Sequence, residues 1–385
     1  MKKAIFEAFD GYADIVEEME FSRKFGVDYT RSEDMPEPYI HRLHPSRLNL
    51  RVSEIKEETP WAKTFTLVSK AGGLPPFLAG QYISVSVETN GILTSRPYSL
   101  SSPPNQSGVW EITVQRVASG LVSNYLLDEV KKGDVLESSG PCGTFYHNPL
   151  FHDKEMVLIA GGAGITPFMS MIREITQCGL DRKVHLFYGN KTLDAALFHR
   201  ELCALSDEFE HIRYIPVIET PSEDVPGAKG LITGALIQEK LRDVTGKTFY
   251  VCGPQGLYDF CIPELEKRQI PRRNIRKEAY GPPLDVAVAP GWPKDVGTDQ
   301  AVSIHVKGKG SIPARTGDPV VKALENAGLK VRAICRSGEC SMCRVRVVSG
   351  RVYQPPGVPV RKSDRQFGYV HSCVSYPLED LEIEM

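Results

Sequence analysis

Four cysteines crowd into the last 51 residues of the chain: Cys335, Cys340, Cys343 and Cys373. The first three form C-x4-C-x2-C, and the fourth follows after 29 residues. That spacing wraps one short loop and one distant thiolate around a [2Fe–2S] cluster. A structural zinc site would show two separated C-x2-4-C pairs, and only one C-x2-C is present. Gly338, inside the loop, can take positive φ and turn backbone N–H groups toward sulfur. The other five cysteines, Cys142, Cys178, Cys203, Cys252 and Cys261, are scattered and read as small buried hydrophobes. Thiols used in this way predict a reducing compartment, the cytoplasm.

A second group of residues has the makings of a dinucleotide site. Residues 157–160 are a short apolar run, followed by Gly161-Gly162-Ala163-Gly164-Ile165-Thr166-Pro167 and a helical pattern over 168–175. A buried strand, a glycine turn and a helix N-terminus together bind pyrophosphate, and Pro167 suits the first helical turn. Two further strand-like runs, 184–189 and 248–252, follow, the second closing on Cys252-Gly253-Pro254. Ligands bind beyond such strand ends, so Cys252 reads equally as a packing residue or a site residue. A third group is Arg96-Pro97-Tyr98-Ser99. It offers a cation for phosphate, an aromatic face and a hydroxyl donor, which are a flavin's needs, with Arg96 and Tyr98 on one face of an extended stretch. Alone, it reads as an ordinary strand with a surface arginine.

Elements must position these groups. Short alternating runs at 48–52, 64–68, 82–87 and 110–115, separated by turn residues, predict a small antiparallel β-barrel. Strands alternating with helical patterns over 151–280 predict an α/β nucleotide-binding domain. The Pro-rich stretch after Tyr280 predicts a semi-rigid linker. Alternation at 302–306 and 344–348 around a helical 319–327 predicts a small β-grasp-like domain carrying the cysteines. The expected organisation is an extension (1–45), barrel (46–150), nucleotide domain (151–280), linker (281–300) and cluster domain (301–385). A length of 385 residues suits two to three domains, and 41% hydrophobic with 24% charged residues is a globular composition. A net charge of -2 excludes nucleic acid as a main partner. The longest apolar stretch, 156–172, is broken by glycines and a proline and does not suit a membrane span.

In their order along the chain, Arg96-x-Tyr98-Ser99, Gly120-x-x-Ser123, the 161–167 turn and Cys252-Gly253-Pro254 resemble the ferredoxin–NADP reductase superfamily. With the cysteine quartet, residues 47–385 are similar to bacterial reductases that fuse flavin, nicotinamide and plant-type ferredoxin domains. The resemblance implies FAD in preference to FMN, NADH or NADPH, and a [2Fe–2S] cluster. It implies Arg96 at the flavin phosphate, Tyr98 on the isoalloxazine, Ser99 near N5, and Gly120, Val122 and Ser123 at the phosphates. It implies Thr166 and Cys252 at nicotinamide, with Gly162, Gly164, Pro167, Gly253 and Pro254 shaping the dinucleotide site. Glu278 and Tyr280 resemble the family's E-x-[FY]. Ser99, Cys252 and Glu278 are the expected catalytic residues. One departure is Ser341, where many plant-type sequences carry Gly after the second cysteine.

The implied function is electron transfer from NAD(P)H through FAD and the cluster to a partner protein, an oxygenase or hydroxylase component in first place. The alternatives are supply to another metalloenzyme, including one in anaerobic metabolism, and a redox-sensing or scaffold protein with a degenerate reductase core. Residues 190–194 offer one cation, Lys191, and one acid, Asp194, leaving NADH against NADPH open. Residues 5–19 have partly helical spacing; residues 1–40 carry 10 acidic against 5 basic side chains, and residues 301–385 carry 13 basic against 8 acidic. Opposite charge would dock the extension on the cluster domain or recruit a partner; a solvated helix is the plainer reading. Arg336 and Arg344 flank the cluster ligands, so an acidic docking surface is expected on the acceptor.

Overall fold

The computed structural model describes residues 11–25, 45, 47–70, 72–220, 227–283 and 285–385. Residues 1–46 and 47–385 are separate compact units. The first contains helix α1 (Tyr12–Phe25); of the helical spacing read over residues 5–19, residues 5–10 lie outside the described ones.

In the second unit, strands β1 (Leu48–Thr59), β2 (Ala62–Ser69), β3 (Tyr82–Thr89), β4 (Ile92–Ser99), β5 (Trp110–Gln115) and β6 (Val135–Ser138) form an antiparallel sheet ordered β4-β3-β6-β1-β2-β5. It closes into a barrel because the chain runs on past β4: Leu100 bridges Ile112, and Ser101 N–H donates to Glu111 O at 2.8 Å. Alternation builds its core, with Ile83, Val85 and Val87 of β3 packed against Leu50, Phe65 and Ile112. Helix α2 (Leu121–Asp128) packs on β3, β4 and β5.

The nucleotide domain follows as β7 (Glu155–Gly161), α3 (Thr166–Gln177), β8 (Lys183–Asn190), α4 (His199–Glu208), β9 (Ile212–Ile218), β10 (Ala228–Lys229), α5 (Gly234–Leu241), β11 (Thr248–Cys252), α6 (Gln255–Lys267) and β12 (Ile275–Glu278). Its strands are parallel and ordered β10-β9-β8-β7-β11-β12. Near-continuous apolar runs such as β7 and β11 are what a sheet covered on both faces requires. The strand order reverses between β7 and β11, opening a crevice beyond their carboxyl ends.

The last domain comprises β13 (Ala301–Val306), β14 (Gly310–Arg315), α7 (Val320–Asn326), β15 (Arg344–Ser349), β16 (Val352–Tyr353), α8 (Lys362–Gln366), β17 (Tyr369–His371), β18 (Tyr376–Pro377) and β19 (Leu381–Glu384). A mixed sheet ordered β14-β13-β19-β15-β17, with β13 and β19 parallel, shares its core with α7 in the expected β-grasp manner. Trp292 of the linker stacks edge-on to Tyr353 and Tyr376 and donates to Val296 O at 2.9 Å, pinning the linker to this domain.

Candidate functional site at the meeting of three domains

Cys335, Cys340 and Cys343 lie on the loop between α7 and β15, and Cys373 follows β17. Positive φ at Arg336, Gly338 and Ser341 (56°, 83° and 58°) curls the loop. The thiol of Cys335 meets those of Cys340 and Cys373, and Cys343 meets Cys373. Backbone N–H groups of Cys340 and Ser337 point at the Cys335 sulfur, the first at 3.4 Å. Those of Met342 and Cys373 serve Cys340 and Cys343. The neighbouring thiols of Cys340 and Cys373, aided by these N–H groups, hold the Cys335 thiol well below its usual range despite burial. The same thiol contacts, with burial, raise the Cys340 and Cys373 thiols. A Cβ on Gly338 would stand 2.7 Å from Val374 Cγ2, so the turn needs glycine. Among the described residues no three His, Cys, Asp or Glu side chains converge as a single metal ion requires. Four thiols linked in a row by three contacts, Cys340–Cys335–Cys373–Cys343, fit a two-iron cluster instead.

On β4, Arg96 donates to Thr94 Oγ1 at 2.9 Å and to Ser95 O at 2.7 Å. The same Thr94 hydroxyl receives Arg336 Nη2 at 3.0 Å and donates to Glu325 Oε2 at 3.0 Å. Two guanidinium groups thus face one carboxylate, and burial together with the Arg336 charge lowers Arg96 to about 10. Tyr98 packs against the barrel core. Gly120 opens α2, where a Cβ would lie 2.4 Å from Ser123 Oγ. The first-turn N–H groups of α2 have no intrahelical acceptor, and the buried Ser123 hydroxyl has no partner. A second cation on the strand that α2 packs against, and the bare N-terminus of that helix, fit a flavin phosphate. The Val122 side chain is in the barrel core, so only its backbone is available to a ligand.

At the crevice, a Cβ on Gly164 would stand 2.1 Å from Cys252 O and 2.7 Å from Gly253 Cα. The glycine turn and the 252–254 turn are therefore pressed backbone to backbone. Gly162, at φ 51°, accepts from the Tyr188 hydroxyl at 2.9 Å. Thr166 Oγ1 donates to Ala163 O at 2.9 Å, Pro167 stands in the first turn of α3, and Pro254 caps α6. At the end of β8 the buried Asn190 amide lacks an acceptor, which fits a polar ligand there. Lys191 and Asp194 are both exposed.

These groups converge. Ser99 Oγ and the Tyr280 hydroxyl are 2.5 Å apart, and Cys252 Sγ donates to the Tyr280 hydroxyl at 3.7 Å. The Tyr258 hydroxyl donates to Glu278 O and receives Gly253 N–H at 2.9 Å, tying the turn to the end of β12. Burial raises the Glu278 carboxyl, the Cys252 thiol and the Tyr280 hydroxyl above their ordinary values. Directly across from Ser99 on β3 is Tyr82. It packs against Ile334 and Cys335, with Cys142 and Cys340 alongside. Tyr82 and Cys142 exchange backbone hydrogen bonds at 3.0 and 2.8 Å, and Gly143 leaves room for the Tyr82 ring, which a Cβ would meet at 2.8 Å. One line of contacts therefore runs from Cys252 through Tyr280, Ser99 and Tyr82 to Cys335.

Two expectations change. Arg336 is not a docking cation: it is buried in an ion pair with Glu325 against the barrel. Arg344 is bonded to Asp364 at 2.8 Å and lies 5.7 Å from the Tyr369 ring centre. Tyr82, Cys142, Thr94 and Glu325 went unread as site residues. Gly143, one position from Cys142, is the signal that could have pointed to the close approach.

Residues 52–147, 158–262 and 304–378 match, in turn, the families described as oxidoreductase FAD-binding domain, oxidoreductase NAD-binding domain and 2Fe-2S iron-sulfur cluster binding domain. The chain is 31% identical to the NADH oxidoreductase HCR of Escherichia coli over 86% of its own length and 96% of that protein's. It is 27% identical to the glycine betaine monooxygenase reductase subunit of Chromohalobacter salexigens, covering 88% and 95%. Phthalate dioxygenase reductase, solved as a modular structure for electron transfer from pyridine nucleotides to [2Fe–2S], shares the fold with a TM-score of 0.65 at 24% identity, covering 88% and 98%.

Proposed function

The chain belongs to the ferredoxin–NADP reductase superfamily, among the reductases that join FAD-binding, NAD-binding and [2Fe–2S] domains, and we propose from that premise how its residues serve electron transfer to a partner. It is an NAD(P)H-dependent iron–sulfur flavoprotein reductase. When bound, the flavin takes a hydride from NAD(P)H and the cluster passes electrons on singly. Arg96, the first turn of α2 and Ser123 hold the flavin phosphates, Tyr98 supplies a ring face, and Ser99 presents its hydroxyl to the reacting edge. Gly162, Gly164, Thr166, Pro167 and the 252–254 turn cradle the dinucleotide. Tyr280 covers Cys252 and swings aside to admit the nicotinamide. The Glu278 carboxyl, raised by burial, stands beside Cys252 and Tyr280. Cys335, Cys340, Cys343 and Cys373 ligate the cluster. The observation that carries this reading is the line of contacts from Cys252 to Cys335.

The acceptor we assign is an oxygenase component with an acidic docking surface, acting in the cytoplasm. The name of the Chromohalobacter relative supports the first part. Charge supports the second. Arg361, Lys362 and Arg365 lie exposed on or beside α8 without a carboxylate partner among the described residues. Asp364 of the same helix is tied to Arg344, next to ligand Cys343. Exposed Phe367 follows this helix directly and adds an apolar group. Thiol usage and the lack, among the described residues, of a helix long and apolar enough to cross a membrane support the third.

An anaerobic visible-spectrum titration with NADH and NADPH in turn tests the core reading. Flavin and cluster bands should both bleach with at least one donor; no bleaching with either contradicts it. Reversing Arg361, Lys362 and Arg365 to Glu should slow reduction of an acidic haem protein such as cytochrome b5 about ten-fold at low salt and flatten its salt dependence. An unchanged rate removes this face from docking.

A further inference from the structure

A cavity of about 360 Å³ opens away from the crevice, between the segment leaving the barrel (Thr144, Phe151, His152) and the turn into β12 (Arg273, Asn274) with Arg276 of that strand. It lies at the amino-terminal edge of the parallel sheet, whereas the dinucleotide crevice lies at the carboxyl ends of β7 and β11.

No carboxylate lines it. Arg273 and Arg276 form no ion pair among the described residues. Arg276 Nη2 donates to Thr144 O at 3.1 Å, while its buried Nε–H has no acceptor. A buried donor left unpaired calls for an explanation, because most such groups are satisfied. His152 Nδ1 receives Asn148 N–H at 3.0 Å and the Tyr250 hydroxyl at 2.7 Å, so the ring keeps its proton on Nε2 as another donor. Burial, with the charges of Arg276 and His147, lowers His152 to about 4, in keeping with that neutral donor form. Asp153 stands behind Asn274 and is engaged by Asn274 Nδ2 and Thr248 Oγ1, each at 3.3 Å, and the Glu278 and Glu339 carboxyls act on Arg276 from outside the lining. The cleft thus presents cations and N–H donors. Phe151 forms part of its wall although 80% exposed, and so offers an apolar face. The volume is at the small end of small-molecule sites.

We infer that this cleft binds a small organic anion, in which a phosphate or carboxylate meets Arg273, Arg276 and His152 and a planar ring lies on Phe151. Its two walls belong to the segment joining the barrel to the nucleotide domain and to β12, which ends at Glu278. Ligand binding therefore braces that joint and stabilises the folded protein by mass action.

The test is calorimetric titration and thermal unfolding of the cofactor-loaded protein at low salt, with saturating NAD+ occupying the crevice. The probes are inorganic phosphate, phenyl phosphate and benzoate. At least one ring-bearing probe should bind at one site per chain and raise Tm. Preference for phenyl phosphate assigns phosphate chemistry, and preference for benzoate assigns carboxylate chemistry. Arg273→Glu, at an exposed position that folding does not depend on, should weaken binding about ten-fold or more. Phe151→Ala should weaken the ring-bearing probes and leave inorganic phosphate unchanged. Saturable binding by none of the three, or binding indifferent to Arg273→Glu, overturns the inference.

Discussion

The barrel meets its two neighbours through chemically different contacts. Toward the nucleotide domain, the contact at the centre is neutral, made of the Ser99 and Tyr280 hydroxyls and the Cys252 thiol. The ionic tie on that side is set back on α3, where Arg173 bonds Glu111 at 3.0 Å and Ser101 O at 2.8 Å. Toward the cluster domain, the contact is itself charged and buried: Glu325 and Arg336 share the Thr94 hydroxyl, and Ser95 Oγ donates to Ala333 O at 2.8 Å. A neutral hydrogen bond contributes only about 0.5–1.5 kcal/mol net, whereas stripping one partner from a buried ion pair costs about 3–5 kcal/mol. The contrast predicts a first junction that opens for a ligand and a second that stays shut.

Breaking the shut junction should have the largest effect. Arg336→Ala leaves Glu325 buried without its partner and should cost about 3–5 kcal/mol, read as a lower urea midpoint and slower reduction of the cluster after flavin. Gly164→Ala drives a methyl into the Cys252 carbonyl and should cost about 1–3 kcal/mol, with a matching rise in the nicotinamide Kd measured by flavin-quenching titration. Tyr280→Phe removes the hydroxyl link to Ser99 and Cys252. It should cost about 1 kcal/mol of stability yet tighten nicotinamide binding several-fold, because the covering ring leaves more readily; weaker binding would show that Tyr280 is part of the cradle. Ser341→Gly relieves a side chain held at φ 58° and should stabilise the cluster loop by up to about 1 kcal/mol, seen as slower iron loss to a chelator.

Chemistry carried by neighbours in sequence was legible. The three loop cysteines, the glycine turn and the Arg96–Ser99 stretch each lie within a few residues, so spacing alone orients them. The alternation at 82–87 and 110–115 likewise announced strands that the structure contains. Contacts made across domains were not legible. Arg336 reads as a surface charge because arginines are rarely buried. Its burial depends on Glu325 of α7 and on Thr94, 242 positions away. Tyr82 sits on the strand face opposite the barrel core, which a period-two pattern assigns to solvent; the cluster domain covers that face instead. Cys142, read as an isolated small hydrophobe, is half-buried for the same reason. The Val122 side chain fell on the core face of α2, which the G-x-x-S spacing does not reveal.

The claim that one line of contacts carries electrons from the crevice to the cysteine quartet is tested most directly by anaerobic rapid mixing of NADH with the protein and with its Cys335→Ser variant. The wild type should show flavin bleaching followed by cluster bleaching. The variant should retain its flavin, bleach it at an undiminished rate and fail to reduce a protein acceptor. A variant that reduces the acceptor as fast as the wild type, or one that no longer holds flavin, would contradict the account.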